Sequence, residues 1–266
     1  MAPAQFLILI AVGTASGLVA GLLGIGGAIV TTPVCMYVYP GLGIHQDILF
    51  KIIFGTNLFM ISFASLVSSF RYNVRGLVLW RSVFPIAAFS IIGAVIGALL
   101  AVHAADVFLK RLFGVFLLFV AVRMYVEYRQ SGSRKPVFNI FALGLTGIST
   151  AVVSVALGIG GGLLTIPVMI YLLHYPVRKA PGTSSSIMIF TSLAGMAGYI
   201  IGGWNNPLIP EQAFGYVYLP AGIPLMLGAV IGSPVGTWLN EQVSTKGLSR
   251  LFGVALAGMS IKMIFF

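Results

Sequence analysis

The sequence predicts an all-α polytopic membrane protein made of two homologous, inverted repeats. Of its 266 residues, 59% are hydrophobic and 8% are charged, and the mean hydropathy is +1.05. The apolar residues form eight long regions, two of them too long for one membrane crossing, and the order of these regions repeats. Each repeat is therefore predicted to be a glycine-broken helical hairpin followed by three transmembrane helices, about ten helical segments in all.

The first apolar region covers residues 5–39. As a single helix it would be about 50 Å long, whereas about 20 residues are enough to cross the hydrocarbon core of a bilayer. We therefore expect it to bend or turn back at residues 24–27, which read Gly-Ile-Gly-Gly. Three regions of ordinary length follow, at 48–70, 78–102 and 107–126, and each is predicted to be one transmembrane helix.

The second half repeats this order. Residues 129–136, RQSGSRKP, are polar and rich in turn-forming residues, which predicts a linker. An overlong apolar region follows at 137–173, interrupted by a second Gly-Ile-Gly-Gly at 158–161. Three more spans are predicted at 184–203, 216–239 and 248–266. We predict one integral membrane domain, with a first repeat at 1–131 and a second at 132–266.

The duplication extends beyond the glycines. GLLGIGGAIVTTPVCMY at 21–37 matches VALGIGGGLLTIPVMIY at 155–171, GAVIG at 93–97 recurs at 228–232, and RLFGV at 111–115 recurs at 250–254. Non-helical backbone is tolerated inside a membrane only where protein buries it or water lines it. Interruptions at matching places in two halves therefore point to the central site of a transporter.

The basic residues of the connections favour the hairpin arrangement. If each overlong region crossed the membrane once, eight Lys and Arg residues would lie on one side and seven on the other. If each is a hairpin, the distribution becomes eleven against four, as the positive-inside rule expects. This arrangement predicts a multi-pass protein of the plasma membrane, the inner membrane in a bacterium, with a cytoplasmic linker and both termini outside.

The two glycine-broken segments are predicted to bind the substrate. The backbone amides that open a half-helix after a break carry partial positive charge and favour an anion. The alternative is that these glycines only let neighbouring helices pack closely. The candidate residues are Gly24, Gly26 and Gly27 in the first segment and Gly158, Gly160, Gly161 and Gly162 in the second. Pro33 and Pro167 follow the glycines and are assigned as helix-break prolines.

Neutral side chains near the breaks are predicted to donate hydrogen bonds to a substrate oxyanion. The Gly-Thr elements at 55–57 and 182–184 follow short polar connections, so their hydroxyls could equally cap the starts of helices. Both roles stay open, since donors at a helix start point the same way. The candidate residues are Thr31, Thr32, Thr56, Asn57, Thr165, Thr183 and Ser184.

Charged residues are scarce inside the predicted spans. All five carboxylates lie in connections or near span ends, whereas proton- and cation-coupled pumps commonly keep carboxylates inside the membrane. An anionic substrate therefore fits better than a cation. His45 and His174 follow the overlong regions and either lie at the surface or sense a proton that accompanies an anion. Lys51 precedes the first Gly-Thr element and is predicted to attract anions.

These features favour a secondary transporter that moves a small anion by alternating access. A passive anion channel of the same architecture is the alternative. Transport that saturates at modest rates would indicate a carrier and not a channel. An enzyme is not expected because no span carries a paired nucleophile and base, and neither a cofactor nor a bound metal is expected. Candidate partners are the anionic substrate, a co-transported proton, the lipid bilayer and a second copy of the chain, but not nucleic acid.

The doubled motif resembles the TauE/SafE family, the sulfite exporter or toluene-sulfonate uptake permease group. The resemblance rests on GIGGAIVTTPV at 24–34, GIGGGLLTIPV at 158–168, and the Gly-Thr elements at Thr56 and Thr183. It implies transport of a sulfur oxyanion or organosulfonate, such as sulfite, thiosulfate or sulfoacetate. Ala28 stands where the second copy has Gly162, so the two breaks are not expected to contribute equally.

Overall fold

The computed structural model describes residues 3–125, 136–242, 260, 261 and 263. These residues form an almost entirely helical structure, as predicted. Its α-helices are α1 (Pro3–Leu23), α2 (Ala28–Val38), α3 (Leu49–Val74), α4 (Trp80–His103), α5 (Asp106–Tyr125), α6 (Ile140–Ala156), α7 (Gly162–Tyr171), α8 (Ala180–Gly203) and α9 (Leu219–Gln242). The predicted linker, except Pro136, and most of the predicted last span lie outside the described residues.

Five of these helices are long and apolar enough to cross a membrane: α1, α3, α4, α8 and α9. They form because an apolar chain in a bilayer must satisfy its backbone hydrogen bonds within each segment, and a helix does so. Short elements connect them, namely two 3₁₀ turns at Pro40–Leu42 and Gln46–Ile48 and a β-hairpin formed by β1 (Ala213–Phe214) and β2 (Val217–Tyr218). The β-hairpin was not predicted.

Three of the long helices, α1, α3 and α9, run in the same direction. Their C-terminal ends lie together, since the Tyr72 hydroxyl donates to the Gly21 carbonyl oxygen at 2.7 Å and Arg75 donates to the Thr237 carbonyl oxygen at 3.1 Å. We call the end of the protein where these three helices begin the first face, and the end where they finish the second face.

The corresponding helices of the second repeat run in the opposite direction. Near the start of α8, Gly182 packs against Tyr72 at the second face, and Gly203 at the end of α8 packs against Tyr216 at the first face. Helix α6 runs parallel to α4, because Gly93 contacts Ile148 and Gly97 contacts Val152. Helix α4 in turn runs parallel to α8, since Gly198 packs against Ala98 and Gly202 packs against Val102. The matching pairs α1 and α6, α3 and α8, and α4 and α9 are therefore antiparallel, as expected for inverted repeats.

The first helix of each repeat packs against the fourth helix of the other. A Cβ on Gly13, Gly17 or Gly21 of α1 would collide with the backbone of α9. The α9 glycines Gly228, Gly232 and Gly236 meet the α1 backbone in the same way. Small residues at every fourth position let the two backbones come together, which stabilises helix pairs in membranes.

Both overlong regions are hairpins and not bent single spans. The Val137 amide before α6 donates to the Leu173 carbonyl oxygen after α7 at 2.9 Å, so both ends of this segment lie at the second face. In the first repeat, the Ser16 hydroxyl donates to the Gly27 carbonyl oxygen at 2.9 Å, which places Gly27 beside the middle of α1. The Tyr39 ring after α2 packs on Tyr218 just before α9, at 6.2 Å between centroids. Helix α2 therefore returns to the first face.

Two local predictions need correction. Helix α8 begins at Ala180, before its predicted start, because Pro181 in the first turn needs no amide hydrogen bond. The two prolines assigned to the breaks lie inside helices, Pro33 in α2 and Pro167 in α7. The breaks are made by the glycines.

Candidate functional site

The helices stop at both Gly-Ile-Gly-Gly elements because the glycines adopt backbone conformations that other residues avoid. Helix α1 ends at Leu23 and α6 at Ala156. The φ angles that follow are positive: Gly24 (69°), Gly26 (89°) and Gly27 (73°) in the first break, and Gly158 (63°), Gly160 (79°) and Gly161 (115°) in the second. Glycine reaches this region without steric cost, since it has no Cβ.

The two breaks touch each other in the interior of the protein. A Cβ added at Gly26 would lie 2.5 Å from the Ile159 carbonyl oxygen, and one added at Gly162 would lie 2.8 Å from the Ile25 Cα. Gly160 packs against Ile61, near the midpoint of α3, and Gly161 packs against Met188, near the middle of α8. The contact region, which we call the glycine junction, therefore lies midway between the two faces.

Two short helices begin at the glycine junction with uncapped ends. Helix α2 has Gly27 as its N-cap residue and α7 has Gly161, and neither glycine has a side chain that could cap the first amides of its helix. Since the helices point to opposite faces, their N-terminal ends meet, and each carries about half a positive charge. Within the described ranges, no hydrogen-bond acceptor is paired with the amides of Gly26, Gly27, Ala28, Gly160, Gly161 and Gly162.

A buried polar cluster lies beside the first break. The Thr31 hydroxyl donates to the Asn57 side-chain oxygen at 2.7 Å, and the Asn57 amide group donates to the Thr32 hydroxyl at 2.8 Å. All three residues are fully buried. The structure thus brings together residues from α2 and α3 that the sequence separates, and the predicted donors hydrogen-bond each other.

The second break has weaker side-chain contacts. The Thr165 hydroxyl lies 2.9 Å from the Gly161 carbonyl oxygen and 3.2 Å from the Thr150 hydroxyl. The Ser184 hydroxyl on α8 donates to the Gly24 carbonyl oxygen at 3.3 Å, so it reaches across to the first break. The two halves of the junction are therefore not identical in chemistry.

Thr56 and Thr183 hold the starts of other helices. The Thr56 hydroxyl accepts a hydrogen bond from the Tyr218 amide at 3.0 Å, just before α9. At the matching position, the Thr183 hydroxyl accepts from the Leu79 amide at 3.1 Å, just before α4. Both threonines lie inside their helices, whose N-cap residues are Ile48 and Lys179, so the helix-capping alternative is wrong for them.

The predicted charged and titratable residues lie away from the junction. His45 is exposed at the first face, where its ring lies 3.4 Å from the Asp47 carboxylate. His174 lies after α7 at the second face, with a φ of 57° and a buried Nδ1 that has no partner among the described residues. Lys51 lies at the first face, with its ammonium 5.8 Å from the centre of the Tyr216 ring.

Two hydroxyl residues at the junction were missed by the sequence analysis. Ser16 of α1 donates to the Gly27 carbonyl oxygen, and Thr150 of α6 contacts Thr165. Each precedes the first glycine of its break by the same number of residues, so aligning the two repeats over a longer stretch would have found them.

Comparison with known proteins agrees with this architecture. The family model described as sulfite exporter TauE/SafE matches residues 9–263. The chain is 26% identical to a probable membrane transporter protein of Haemophilus influenzae, over 97% of both chains. It is 28% identical to one of Methanocaldococcus jannaschii, over 97% of this chain and 94% of the relative. A third relative, probable membrane transporter protein YunE of Bacillus subtilis, is 27% identical over 98% of both chains. No solved structure matches the chain.

Proposed function

The chain belongs to the sulfite exporter TauE/SafE family and is a multi-pass membrane transporter; on this premise, we propose that it moves a small sulfur oxyanion or organosulfonate by alternating access. Sulfite, thiosulfate and sulfoacetate are the candidate substrates. The description of the family model names sulfite, and the chemistry of the glycine junction suits all three.

The observation that carries this proposal is the meeting of two uncapped helix starts at the glycine junction. A helix N-terminus offers several amide donors and a partial positive charge, which together bind oxyanions. Two inverted helix starts can approach one anion from opposite sides, as broken helices do in transporters with inverted repeats. The glycines leave the amides uncovered by side chains.

The lack of formal charge at the glycine junction suits a transported anion, which must be released after it has bound. Among side chains that the structure describes, Asp106 is the only charged one in the buried set, and it lies at the first face. A fixed cation in a low-dielectric interior would attract a dianion very strongly. Partial charges and hydroxyl groups bind the anion more weakly, which allows release on the other side.

The burial of the junction favours a carrier over a channel. Thr31, Asn57 and Ser184 are fully buried, so an anion cannot reach them from either face without a conformational change. Movement of one hairpin relative to the other would open the junction to one face at a time. A passive anion channel remains the alternative, and its flux would rise linearly with concentration without saturation.

The distribution of basic residues orients the proposed transporter. The second face carries Arg71, Arg75 and Arg81 together with Arg178 and Lys179, whereas the first face carries Lys51, Lys110 and Arg111. The positive-inside rule therefore favours a cytoplasmic second face, with the start of α1 outside the plasma membrane.

Uptake of ³⁵S-labelled sulfite and thiosulfate into proteoliposomes tests the proposal. We expect saturable uptake that a Gly26→Ala substitution strongly reduces, since its Cβ would press on the second break. Gly43→Ala is the matched control, because Gly43 also has a positive φ, 80°, but an added Cβ meets nothing within 4 Å. Uptake equal to that of empty liposomes for every sulfur anion, sulfoacetate included, would refute the proposed substrate class.

A further inference from the structure

A polar cavity of about 560 Å³ opens at the first face, apart from the glycine junction. It lies where α2 ends and where α3 and α5 begin, and its size falls in the range of small-molecule sites. Its polar lining comes from Tyr37, Gln46, Asp47, Lys51, Asp106 and Lys110.

Neither lysine of this cavity forms an ion pair with a carboxylate among the described residues. Lys51 and Lys110 are both partly buried. The Lys51 ammonium approaches the face of the Tyr216 ring, which leaves its N–H donors available to a ligand. Two ammonium groups that form no ion pair and line one cavity can together bind an oxyanion.

The two carboxylates of the lining are already engaged. Both oxygens of Asp106 accept hydrogen bonds from the Phe50 amide, at 3.0 and 2.9 Å, and one also accepts from the Lys51 amide at 3.2 Å. Asp47 is exposed and lies 3.4 Å from the His45 ring. Lys51 also interacts electrostatically with Asp106, but neither lysine forms an ion pair with either aspartate.

The cavity lies next to elements that lead to the glycine junction. Lys51 and Asn57 are both on α3, about 9 Å apart along the helix axis. Met36 and Tyr37, which also line the cavity, end the helix that begins at Gly27. An anion held in this cavity is therefore about one short helix away from the junction.

We propose that Lys51 and Lys110 bind the small oxyanion at the first face and raise its local concentration before it enters the glycine junction. The inference extends the proposed function, since it assigns a recruitment site to the same transport pathway. Ammonium groups that are free of ion pairs attract anions to an entrance and speed their association, and salt weakens this effect.

Initial rates of ³⁵S-sulfite transport, with sulfite added at the first face, test the recruitment site. We expect the Lys51→Gln/Lys110→Gln variant to raise KM about tenfold with little change in maximal rate and a weaker salt dependence. Lys51→Arg/Lys110→Arg should restore KM, and Lys179→Gln at the second face should leave it unchanged. A KM for the double Gln variant within twofold of the wild type would overturn the inference.

The anionic headgroup of a lipid has the same chemistry as the proposed ligand, so the assay is run in phosphatidylcholine vesicles with and without phosphatidylglycerol. A KM shift that appears in pure phosphatidylcholine assigns the site to the solute. A KM shift found only with phosphatidylglycerol would assign it to a lipid and overturn solute recruitment. If the double variant does not fold, Lys110→Gln alone keeps the Lys51–Tyr216 contact and is expected to raise KM about threefold.

Failure of this inference can be distinguished from failure of the proposed function. If the wild-type protein transports no sulfur anion, the proposed function is refuted. The cavity is then tested by equilibrium binding of ³⁵S-sulfite to the solubilised protein. Binding that is weaker in the double Gln variant than in Lys179→Gln supports an anion site at the first face, and equal binding in the two variants overturns it.

Discussion

Gly162→Ala is the substitution that most selectively disturbs the contact between the two breaks. Gly162 begins α7 with an ordinary negative φ, so alanine introduces no backbone strain there. The added Cβ would lie 2.7 Å from the Met188 sulfur and 2.8 Å from the Ile25 Cα, and closer still to the Gly24 carbonyl oxygen. The Met188 side chain can move away, but the backbone of the first break cannot yield without moving the break itself.

The expected magnitude follows from these distances. Non-bonded carbon atoms normally approach to about 3.5–4.0 Å, so the two breaks must separate by about 1 Å. Overpacking of this kind lowers the free energy of unfolding by about 1–3 kcal/mol. The higher helix propensity of alanine offsets up to about 1 kcal/mol of this loss. We therefore expect the melting temperature to fall by less than about 8 °C. Transport should fall at least about tenfold, since a 1 Å displacement of aligned groups can cost about a hundredfold.

Two matched variants separate the junction from general effects of alanine. Gly41→Ala adds a Cβ that meets nothing within 4 Å, so it should transport like the wild type. Ala28→Gly changes the matching residue of the first break, which is fully buried, and removes a methyl group without adding a contact. Its flux should lie between those of the wild type and Gly162→Ala.

Flux is measured as ³⁵S-sulfite or thiosulfate uptake and folding as the melting temperature in detergent. Wild-type flux in Gly162→Ala would show that transport does not depend on the contact between the two breaks.

Three further predictions concern contacts around the junction. Asn57→Leu removes the side-chain partner that the buried Thr31 and Thr32 hydroxyls share, and it should destabilise the protein by about 1–3 kcal/mol in chemical unfolding. The Ser184 hydrogen bond is longer, at 3.3 Å, so an equal loss of stability in Ser184→Ala would contradict this prediction. Thr183→Val removes the acceptor of the Leu79 amide and should lower both the melting temperature and the flux. Thr183→Ser keeps the hydroxyl and should preserve both. If the two variants had the same melting temperature and flux, the hydroxyl would not be needed. Gly17→Ile places a branched side chain against the α9 backbone and should lower the yield of folded protein in size-exclusion chromatography well below that of Gly41→Ala.

The sequence predicts the architecture well because the membrane imposes strong constraints on it. The length of the region at 5–39 already requires a bend or turn, and the charge count selects the hairpin. The contact between Val137 and Leu173 and that between Ser16 and Gly27 confirm this choice. The duplicated Gly-Ile-Gly-Gly elements also locate the breaks correctly, because few other residues adopt positive φ angles.

The sequence does not reveal which helices pair or how the hydroxyl groups are used. The GAVIG motifs at 93–97 and 228–232 show that glycine lines a helix face, yet nothing in them indicates that α9 packs on α1 of the other repeat. Thr56 and Thr183 are predicted as substrate donors, but the structure pairs both with backbone amides that become neighbours only after folding. The β-hairpin at 213–218 is too short to show an alternating pattern.

A crystal structure with bound selenite would show whether an anion binds where the two breaks meet. Selenite has the shape and charge of sulfite, and its selenium atom gives an anomalous signal that locates the anion without ambiguity. We expect anomalous density between the two breaks, with selenite oxygens about 2.7–3.2 Å from amides of the Gly26–Ala28 and Gly160–Gly162 segments. Strong selenite density elsewhere in the protein, with none at the glycine junction, would contradict it.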